Sequence, residues 1–382
     1  MSATVNPNLL TQIRKVGAFD ISACFNCGNC TAICPLSKEG EEFPRKIIRY
    51  ATVGLEEKLL SSPELWSCYY CGECTETCPR EADPGAFMMA ARRYAIRKYS
   101  WGRISDAIYS SQTAFYGTLL VLSIILGTII VTMHGPITLP RIDLFTFIPM
   151  ATIDKAGMAM GVFVGLSAIA NLMIMNSYLS RNKRAASASE LVRSLPSSLD
   201  ALLRVIVDEV AIQKRLKLCT DSGKYRAHLL LVWGFMGLLA ATTLAYMIDG
   251  FNVALPYYVP RIVGVVSGLS LVYGSLYFLH KRVYRKEAYT TYSHFSDWAF
   301  LGLLLLTGIT GFLLDVFMLT EMSLAAYLTY AVHLVVIFDL LTTAPFTKFV
   351  HALYRPLALW QEELSKARVA SELSLIGIPA VA

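Results

Sequence analysis

Long stretches of apolar residues, separated by short polar segments, dominate the chain after about residue 105. The first of them, residues 108–133, contains 26 residues and no charged side chain, and about 20 apolar residues suffice for a helix to cross the hydrocarbon core of a membrane. Five further stretches follow near residues 156–180, 227–248, 262–281, 298–314 and 325–350. The pattern predicts six transmembrane helices, although a buried core helix is the alternative for any single stretch.

Composition agrees with a membrane protein that carries a soluble N-terminal domain. Hydrophobic residues make up 55% and charged residues 16% of the 382 residues, whereas soluble domains carry about 25% charged residues. The net charge of +6 is modest and unevenly spread, so nucleic-acid binding is not expected. The predicted segments are a soluble domain over 1–105, two membrane helices in 106–180, a loop with an amphipathic helix over 181–225, a four-helix membrane domain over 226–355 and a tail over 356–382.

Basic residues indicate which side of the membrane each segment occupies. Ten Lys and Arg residues lie in the loop 181–226, and more stand before the first helix and after the fourth, against three on the opposite side. Because basic loops stay in the cytoplasm, both termini and the N-terminal domain are expected there, with the chain in the cytoplasmic (inner) membrane. Within the loop, Leu199, Leu203 and Val210 recur at helical spacing. They predict an amphipathic helix on the membrane surface or, alternatively, against a partner protein.

Eight of the nine cysteines form two copies of the motif C-x2-C-x2-C-x3-C-P. This spacing is typical of proteins with two [4Fe–4S] clusters, in which the last cysteine of each motif binds the cluster of the other. The predicted ligands are Cys24, Cys27, Cys30 and Cys78 for cluster one, and Cys68, Cys71, Cys74 and Cys34 for cluster two. Zinc and disulfides are the alternatives, but zinc sites usually use cysteine pairs and disulfides are rare in the cytoplasm. Cys219 is interpreted as a bystander.

The 33 residues between the motifs predict helices over 44–60 and from residue 63 onward rather than the strands of a small ferredoxin. This arrangement resembles the α-helical ferredoxin domain of succinate-dehydrogenase-type and heterodisulfide-reductase-type subunits. The predicted fold class is therefore all-α, with an α-helical dicluster ferredoxin domain followed by a six-helix transmembrane bundle.

All six histidines lie in or beside the predicted membrane helices, where polar residues are costly and usually functional. His333 and His351 are 18 residues apart, which is five turns at about 3.6 residues per turn. On one continuous sixth helix they would share a face, about 27 Å apart. Two stacked b-type haems, one near each membrane surface, would fit this spacing, and so would a pair of interfacial histidines.

Residues 333–351 resemble the last haem-binding helix of the nitrate reductase γ-subunit family. The resemblance implies an inner haem b on His228 and His351 and a possible second haem on His333, so one or two haems are expected. The family's usual partner for His333 would stand at Leu238. The alternatives for this second haem are a ligand such as His134, Met236 or Met247, a five-coordinate iron, or no haem.

Three polar residues in the membrane region have no place in that haem scheme. Asp339 lies near mid-membrane, and His280 and His294 lie at the cytoplasmic ends of the fourth and fifth helices. They are candidates for a quinone or proton site, with hydrogen bonding between helices or an interfacial position as the alternatives. Asp297 is interpreted as interfacial.

An α-helical dicluster ferredoxin fused to a haem b membrane domain resembles a fusion of the C and E subunits of heterodisulfide reductase. It is most similar to the family of C subunits of quinone-interacting membrane-bound oxidoreductases (QmoC). The resemblance implies an oxidoreductase component, active in a complex, that transfers electrons between menaquinone and two HdrA-like flavoproteins, which are related to the flavin-binding component of heterodisulfide reductase. Electrons would pass through haem b and both clusters and serve adenylylsulfate (APS) reductase in sulfate reduction.

Two rival hypotheses remain open at this point. One is the membrane component of another heterodisulfide-reductase-like or sulfite-reductase-linked complex. The other is a haem-free iron–sulfur anchor or sensor, which would tolerate the loss of His351.

Overall fold

The computed structural model describes residues 4–17, 21–37, 43–139, 141–181, 195–218, 222–285 and 287–375. Every regular element within these ranges is a helix, which confirms the all-α prediction. Cys219 lies outside the described residues, as does part of the predicted loop over 181–225.

A head of short helices precedes the first membrane helix. Its longest helix, Pro84–Tyr99, begins at Asp83, whose side chain accepts a hydrogen bond from the backbone N–H of Ala86 at 3.0 Å. This cap and the proline at the first helical position fix where the helix starts. Four other α-helices of the head pack on it: Leu9–Arg14, Arg45–Thr52, Glu73–Glu76 and Ile104–Ile108. The head also contains the helices Asn29–Ile33 and Glu56–Leu60.

Six helices are long and apolar enough to cross a membrane, which confirms the number predicted from hydropathy. Spans 1 to 6 are Gln112–Met133, Met150–Ser180, Ser222–Phe251, Tyr258–Tyr284, Phe295–Leu319 and Ser323–Thr343. Large apolar side chains on their outer faces are exposed, as lipid-facing side chains are.

Spans 3 to 6 pack against one another in chain order, whereas spans 1 and 2 each pack on span 6. Small residues let spans 3 and 4 approach closely. A Cβ atom on Gly234 would lie 2.6 Å from the backbone nitrogen of Leu271, and one on Gly274 would lie 2.8 Å from the carbonyl oxygen of Ala227. Small residues at helix contacts are the usual device of membrane bundles.

The prediction that His333 and His351 lie on one continuous helix is wrong. Span 6 ends at Thr343, two 3₁₀ turns follow, and His351 begins a new helix. Pro345 in the first turn has no backbone N–H and cannot continue the α-helical hydrogen bonds. The five-turn argument for a shared face therefore fails.

Side chains from other helices stabilise this break. The amide nitrogen of Asn171 donates to the carbonyl oxygen of Pro345 at 2.8 Å, and the Ser105 hydroxyl donates to that of Phe346 at 2.8 Å. Both side chains are fully buried. Backbone carbonyls that lose their helical hydrogen bonds at membrane depth need other partners. Tertiary contacts therefore stabilise the helix break.

The helix after the break, His351–Leu375, packs against the head. The ring of Tyr354 lies 5.3 Å from that of Trp66 and 5.5 Å from that of Tyr99. Residues expected to form a tail from 356 onward thus continue this helix as far as Leu375. The helix joins the end of the membrane bundle to the core of the head.

Candidate redox centres

The two cysteine loops have the same backbone conformation. Left-handed residues occupy matching places in both loops: Asn26 (φ 60°) and Gly28 (93°), and Tyr70 (54°) and Gly72 (102°). The backbone N–H of Asn26 donates to Cys24 Sγ at 3.4 Å, and that of Tyr70 to Cys68 Sγ at 3.2 Å. Backbone donors aimed at sulfur are typical of loops that hold iron–sulfur clusters.

The structure brings Cys34 of the first motif to the second loop. One cavity is lined by Cys34, Cys68, Cys71 and Cys74, together with Gly72 and Gly85. Burial, with a contribution from Cys68 and Cys71, raises the pKa of the Cys34 thiol. The last cysteine of motif one therefore lies among the first three of motif two.

The first loop gathers its own three cysteines and the segment around Cys78. Burial raises the pKa of the Cys30 thiol to about 11, with contributions from Cys24 and Cys27. The Asn29 side chain donates to the carbonyl oxygen of residue 77 at 2.7 Å, and Arg80 Nε donates to that of residue 23 at 3.4 Å. These bonds hold the chain on both sides of Cys78 against the first loop.

Throughout the described ranges, no three His, Cys, Asp or Glu side chains converge on a point as a single metal ion requires. A cubane cluster keeps its four sulfur ligands apart by its own width, whereas zinc draws its ligands to about 2.3 Å from one centre. The preference for clusters over zinc rests on the spacing of the two cysteine motifs.

The second loop faces the membrane bundle through two cations. Lys224 Nζ donates to the carbonyl oxygens of residues 69 and 70 at 3.1 and 2.5 Å. Arg355 donates to the carbonyl oxygens of residues 67 and 68 at 3.0 and 3.1 Å. Gly72 packs on the loop between spans 4 and 5, where an added Cβ would lie 2.7 Å from Ala288 Cβ.

Each of these cations stands one helical turn from a predicted haem ligand. Lys224 precedes His228 by four residues on span 3, and Arg355 follows His351 by four on the C-terminal helix. Residues four apart lie on one face of a helix. His228 is also close enough to His351 for electrostatic interaction. Each histidine therefore lies one helical turn, about 6 Å along the helix axis, from a cation that contacts the second cysteine loop.

The imidazole rings of His228 and His351 both form a hydrogen bond through Nδ1. His351 Nδ1 lies 2.5 Å from the carbonyl oxygen of Lys348, and His228 Nδ1 lies 2.7 Å from Gln213 Oε1. Because both partners are acceptors, Nδ1 carries the proton and Nε2 is left with a free lone pair. Metal-bound histidines usually have this arrangement. Gln213 was not singled out from the sequence, since nothing in its neighbourhood marks it.

His333 also carries its proton on Nδ1, but the acceptor is a side-chain hydroxyl group. The Thr310 hydroxyl donates its single proton to the carbonyl oxygen of Leu306 at 2.6 Å, so it accepts from His333 Nδ1 at 2.7 Å. Of the suggested partners for this ring, Met236 and Met247 are nearly half exposed on span 3. His134 is exposed, and its Nδ1 donates to the carbonyl oxygen of the next residue.

The other two histidines differ from these. His280 is exposed, with its ring 4.4 Å from that of Tyr284. His294 is buried and caps span 5, where its Nδ1 accepts from the backbone N–H of Ser296 at 3.3 Å. The proton of neutral His294 is therefore on Nε2, the opposite tautomer to that of His228 and His351.

Asp297, interpreted from the sequence as interfacial, is the centre of a buried ion network. Its side chain is 5% exposed and pairs with Arg93 of the head at 3.4 Å, with Arg282 of span 4 at 3.7 Å and with Lys348. Burying these charges costs free energy, which ion pairing offsets when the geometry is good and further hydrogen bonds are made. This network is a second connection between head and membrane bundle.

Asp339 is buried in span 6, with 3% of its surface exposed. One carboxyl oxygen accepts from the Ser123 hydroxyl of span 1 at 2.5 Å, and among the described residues the other has no hydrogen-bond partner. A buried polar atom without a partner costs about 1–3 kcal/mol. Such a residue in a predicted membrane helix is a candidate functional residue.

Comparisons with known proteins agree with this division of the chain. Residues 20–82 match the 4Fe-4S dicluster domain. Residues 142–372, more than half of the chain, match the model of citrate utilization protein B. The chain belongs to the citrate utilization protein B family. No solved structure matches it.

Curated relatives match part of this chain. A protein of Archaeoglobus profundus that is similar to the C subunits of heterodisulfide reductases is 38% identical over 94 residues, 24% of this chain and 50% of the relative. The C-type component of the H2:CoB–CoM heterodisulfide,ferredoxin reductase of Methanothermobacter thermautotrophicus is 40% identical over 55 residues, 14% of this chain and 30% of the relative. The chain spans half or less of the length of these relatives. The chain thus carries a 4Fe-4S dicluster domain, is similar over the matched part to C subunits of heterodisulfide reductases, and has helices long and apolar enough to cross a membrane.

Proposed function

We propose that the chain transfers electrons between menaquinone and cytoplasmic flavoprotein partners through haem b and two [4Fe–4S] clusters. The observation that carries the proposal is the pair of four-residue steps, Lys224 to His228 and His351 to Arg355. They link both candidate haem ligands to the backbone of the second cysteine loop. A short route for electrons between membrane and head would therefore run along these two helices.

The cysteine geometry supports the crossed ligand sets. Cys68, Cys71, Cys74 and Cys34 would hold the cluster nearer the membrane, and Cys24, Cys27, Cys30 and Cys78 the farther one. Cys27 is exposed and Phe25 beside it is 61% exposed. The first loop is therefore the surface at which an HdrA-like flavoprotein would dock. Delivery to APS reductase is the step that the resemblance to quinone-interacting oxidoreductases suggests.

The donor set of His228 and His351 fits an inner haem b. Both imidazoles keep Nε2 free while Nδ1–H is bonded, which fixes ring orientation and makes each a stronger ligand. When bound, haem and clusters carry single electrons, which divides the two-electron chemistry of a quinone into single steps. His333 has the same tautomer and is our candidate ligand for a second haem.

Asp339 is the candidate proton-handling residue for quinone. Its free carboxyl oxygen is able to take or give a proton, and Ser123 holds the other oxygen in place. His294 and His280 lie at the cytoplasmic ends of spans 5 and 4, where protons would enter or leave. The clustering of basic residues places the head and both termini in the cytoplasm in this proposal.

The test is a pyridine haemochrome assay on the purified full chain, normalised to protein and to iron. Wild type should bind one or two haems per chain, and His351→Ala and His228→Ala should each lose the inner haem while cluster iron stays unchanged. His280→Ala is the matched control, because this exposed histidine should leave haem content unaltered.

A chain with full cluster iron and no haem would refute the cytochrome proposal and favour an iron–sulfur anchor or sensor. Where haem is present, Asp339→Asn should slow menaquinol oxidation at unchanged haem and iron content. Asp315→Asn is its control, since Asp315 is half exposed and pairs with Arg261 at 3.5 Å. Equal rates in both variants would exclude Asp339 from quinone chemistry.

A further inference from the structure

The helix between spans 2 and 3 has an apolar stripe that the described part of the chain leaves exposed. The helix runs over Leu195–Val205 and continues as a π-helical turn over Ile206–Ala211. The stripe consists of large apolar side chains that are 44–61% exposed: Leu199, Leu203, Ile206, Val207 and Ile212. Stripe residues on the helix are spaced by three or four, so they share a face.

The other faces of this helix are accounted for. Ala201 and Val205 are buried, and the helix packs on the C-terminal helix, where Trp360 Nε1 donates to the carbonyl oxygen of Ser198 at 3.0 Å. Asp200 and Arg204 form a solvent-exposed pair at 2.7 Å. The helix thus has a packed face, a polar face and an apolar face, and only the last requires a further partner.

Two aromatic residues of span 3 hold the end of the stripe at the membrane edge. Trp233 Nε1 donates to the carbonyl oxygen of Ala211 at 3.0 Å, and the Tyr225 hydroxyl donates to that of Ile212 at 2.9 Å. Trp233 is 53% exposed on the outer face of a membrane span. Tryptophan and tyrosine in such positions mark the level of the lipid headgroups.

We propose that the stripe lies in the lipid leaflet at which span 3 begins, which makes residues 195–212 an interfacial membrane helix. The occupant of the stripe is the headgroup and upper acyl region of phospholipids. The stripe is continuous with the lipid-facing surface of span 3 through Trp233, and the exposed polar pair of Asp200 and Arg204 flanks it on one side. Interfacial helices bury an apolar face about 5–10 Å into this region.

The position has a structural consequence for the site. Gln213, which is 2% exposed and bonded to His228, directly follows the stripe. Lipid under the stripe would therefore hold the segment that orients the His228 ring. The membrane location itself does not depend on whether haem is bound.

The experiment uses the full chain, with its clusters, in nanodiscs containing a phosphatidylcholine that carries a diazirine near the glycerol end of one acyl chain. After illumination, mass spectrometry should find lipid adducts on residues 199–212 as well as on Leu120, an exposed residue of span 1. The double variant Leu199→Ser and Leu203→Ser should lower labelling of this segment severalfold. The double variant Asp200→Ser and Arg204→Ser, on the polar face, should leave it unchanged.

Labelling of span 1 without labelling of residues 199–212 would overturn the proposal. So would labelling that disappears in a complex with copurified proteins, since the stripe would then belong to a protein partner. Cluster iron is measured on every sample, so a misfolded variant is recognised independently of the lipid readout.

Discussion

The two cysteine loops have one sequence motif and one backbone conformation, yet they occupy different surroundings. In the second loop Cys68 is buried, and Lys224, Arg355 and Arg92 all donate to backbone carbonyls of residues 65–70. In the first loop Cys27 is exposed, and Arg45 bonds the Asn26 side chain at 3.2 Å. Of the two copies of the motif, the second therefore faces the membrane bundle and the first faces solvent.

The two loops have the same cysteine motif, so the motif cannot explain why their surroundings differ. Their tertiary contacts make one loop face the membrane bundle and the other face solvent. Positive charges and hydrogen bonds around a cluster help set its reduction potential. Three cations near the second loop would therefore make its cluster easier to reduce than an equal cluster with fewer such neighbours. The asymmetry is testable by paired substitutions at matching positions of the two loops.

The largest effect is expected from Cys34→Ser. Because Cys34 lies among the cysteines of the second loop, this change should remove or convert the membrane-side cluster and lower iron content by up to about half. Iron analysis measures the iron content, and EPR of the reduced chain detects the loss or conversion of the cluster. Cys78→Ser should instead affect the other signal, and Cys219→Ser neither. If Cys34→Ser and Cys24→Ser altered the same signal, the crossed assignment would be wrong.

An intermediate effect is expected from Gly72→Ala. Both Gly72 and Gly28 have positive φ, so alanine costs about 1 kcal/mol at either position. At Gly72 the new methyl also meets Ala288 Cβ at 2.7 Å, whereas at Gly28 the nearest atom is Arg45 Cδ at 3.5 Å. Overpacking should add about 1–3 kcal/mol at Gly72 only.

Thermal unfolding of both glycine variants in the same detergent measures this difference. Gly72→Ala should have the lower midpoint. Equal midpoints would show that the contact between the second loop and residues 288–289 contributes nothing to stability.

The smallest effect is expected from Arg355→Gln, compared with Arg45→Gln. Removing the Arg355 charge should lower the potential of the membrane-side cluster alone and cost about 2 kcal/mol of stability through its lost hydrogen bonds. Arg45→Gln should shift only the outer cluster. Redox titration followed by EPR distinguishes the two signals. A shift of the same signal in both variants would contradict the proposed positions of the loops.

Hydropathy and motif spacing were sufficient for the coarse architecture. Six apolar stretches predicted six membrane helices, and the described residues contain six helices long and apolar enough to cross a membrane. The cysteine motifs are local, with ligands within eleven residues, so they predicted the dicluster domain. Both properties depend on nearest neighbours along the chain, which a sequence displays directly.

The break after Thr343 shows where such reasoning failed. Pro345 was visible in the sequence, but the apolar pattern runs on through residue 350. Whether a proline kinks a helix or ends it depends on which groups satisfy the freed carbonyls, and here Asn171 and Ser105 do so. Those partners come from distant parts of the chain and have no local signature.

By itself the sequence determined the helical class and the number of long apolar helices, and it predicted the eight cysteines as a ligand set and the histidines as candidate ligands. Tertiary structure alone decided that the second loop contacts cations one helical turn from His228 and His351, that Gln213 orients one of those rings and that Asp297 joins head to bundle. The physical reason is the distance along the chain between the residues that interact. Helix formation and motif spacing are fixed within a few residues, whereas these contacts join residues from 15 to 204 positions apart.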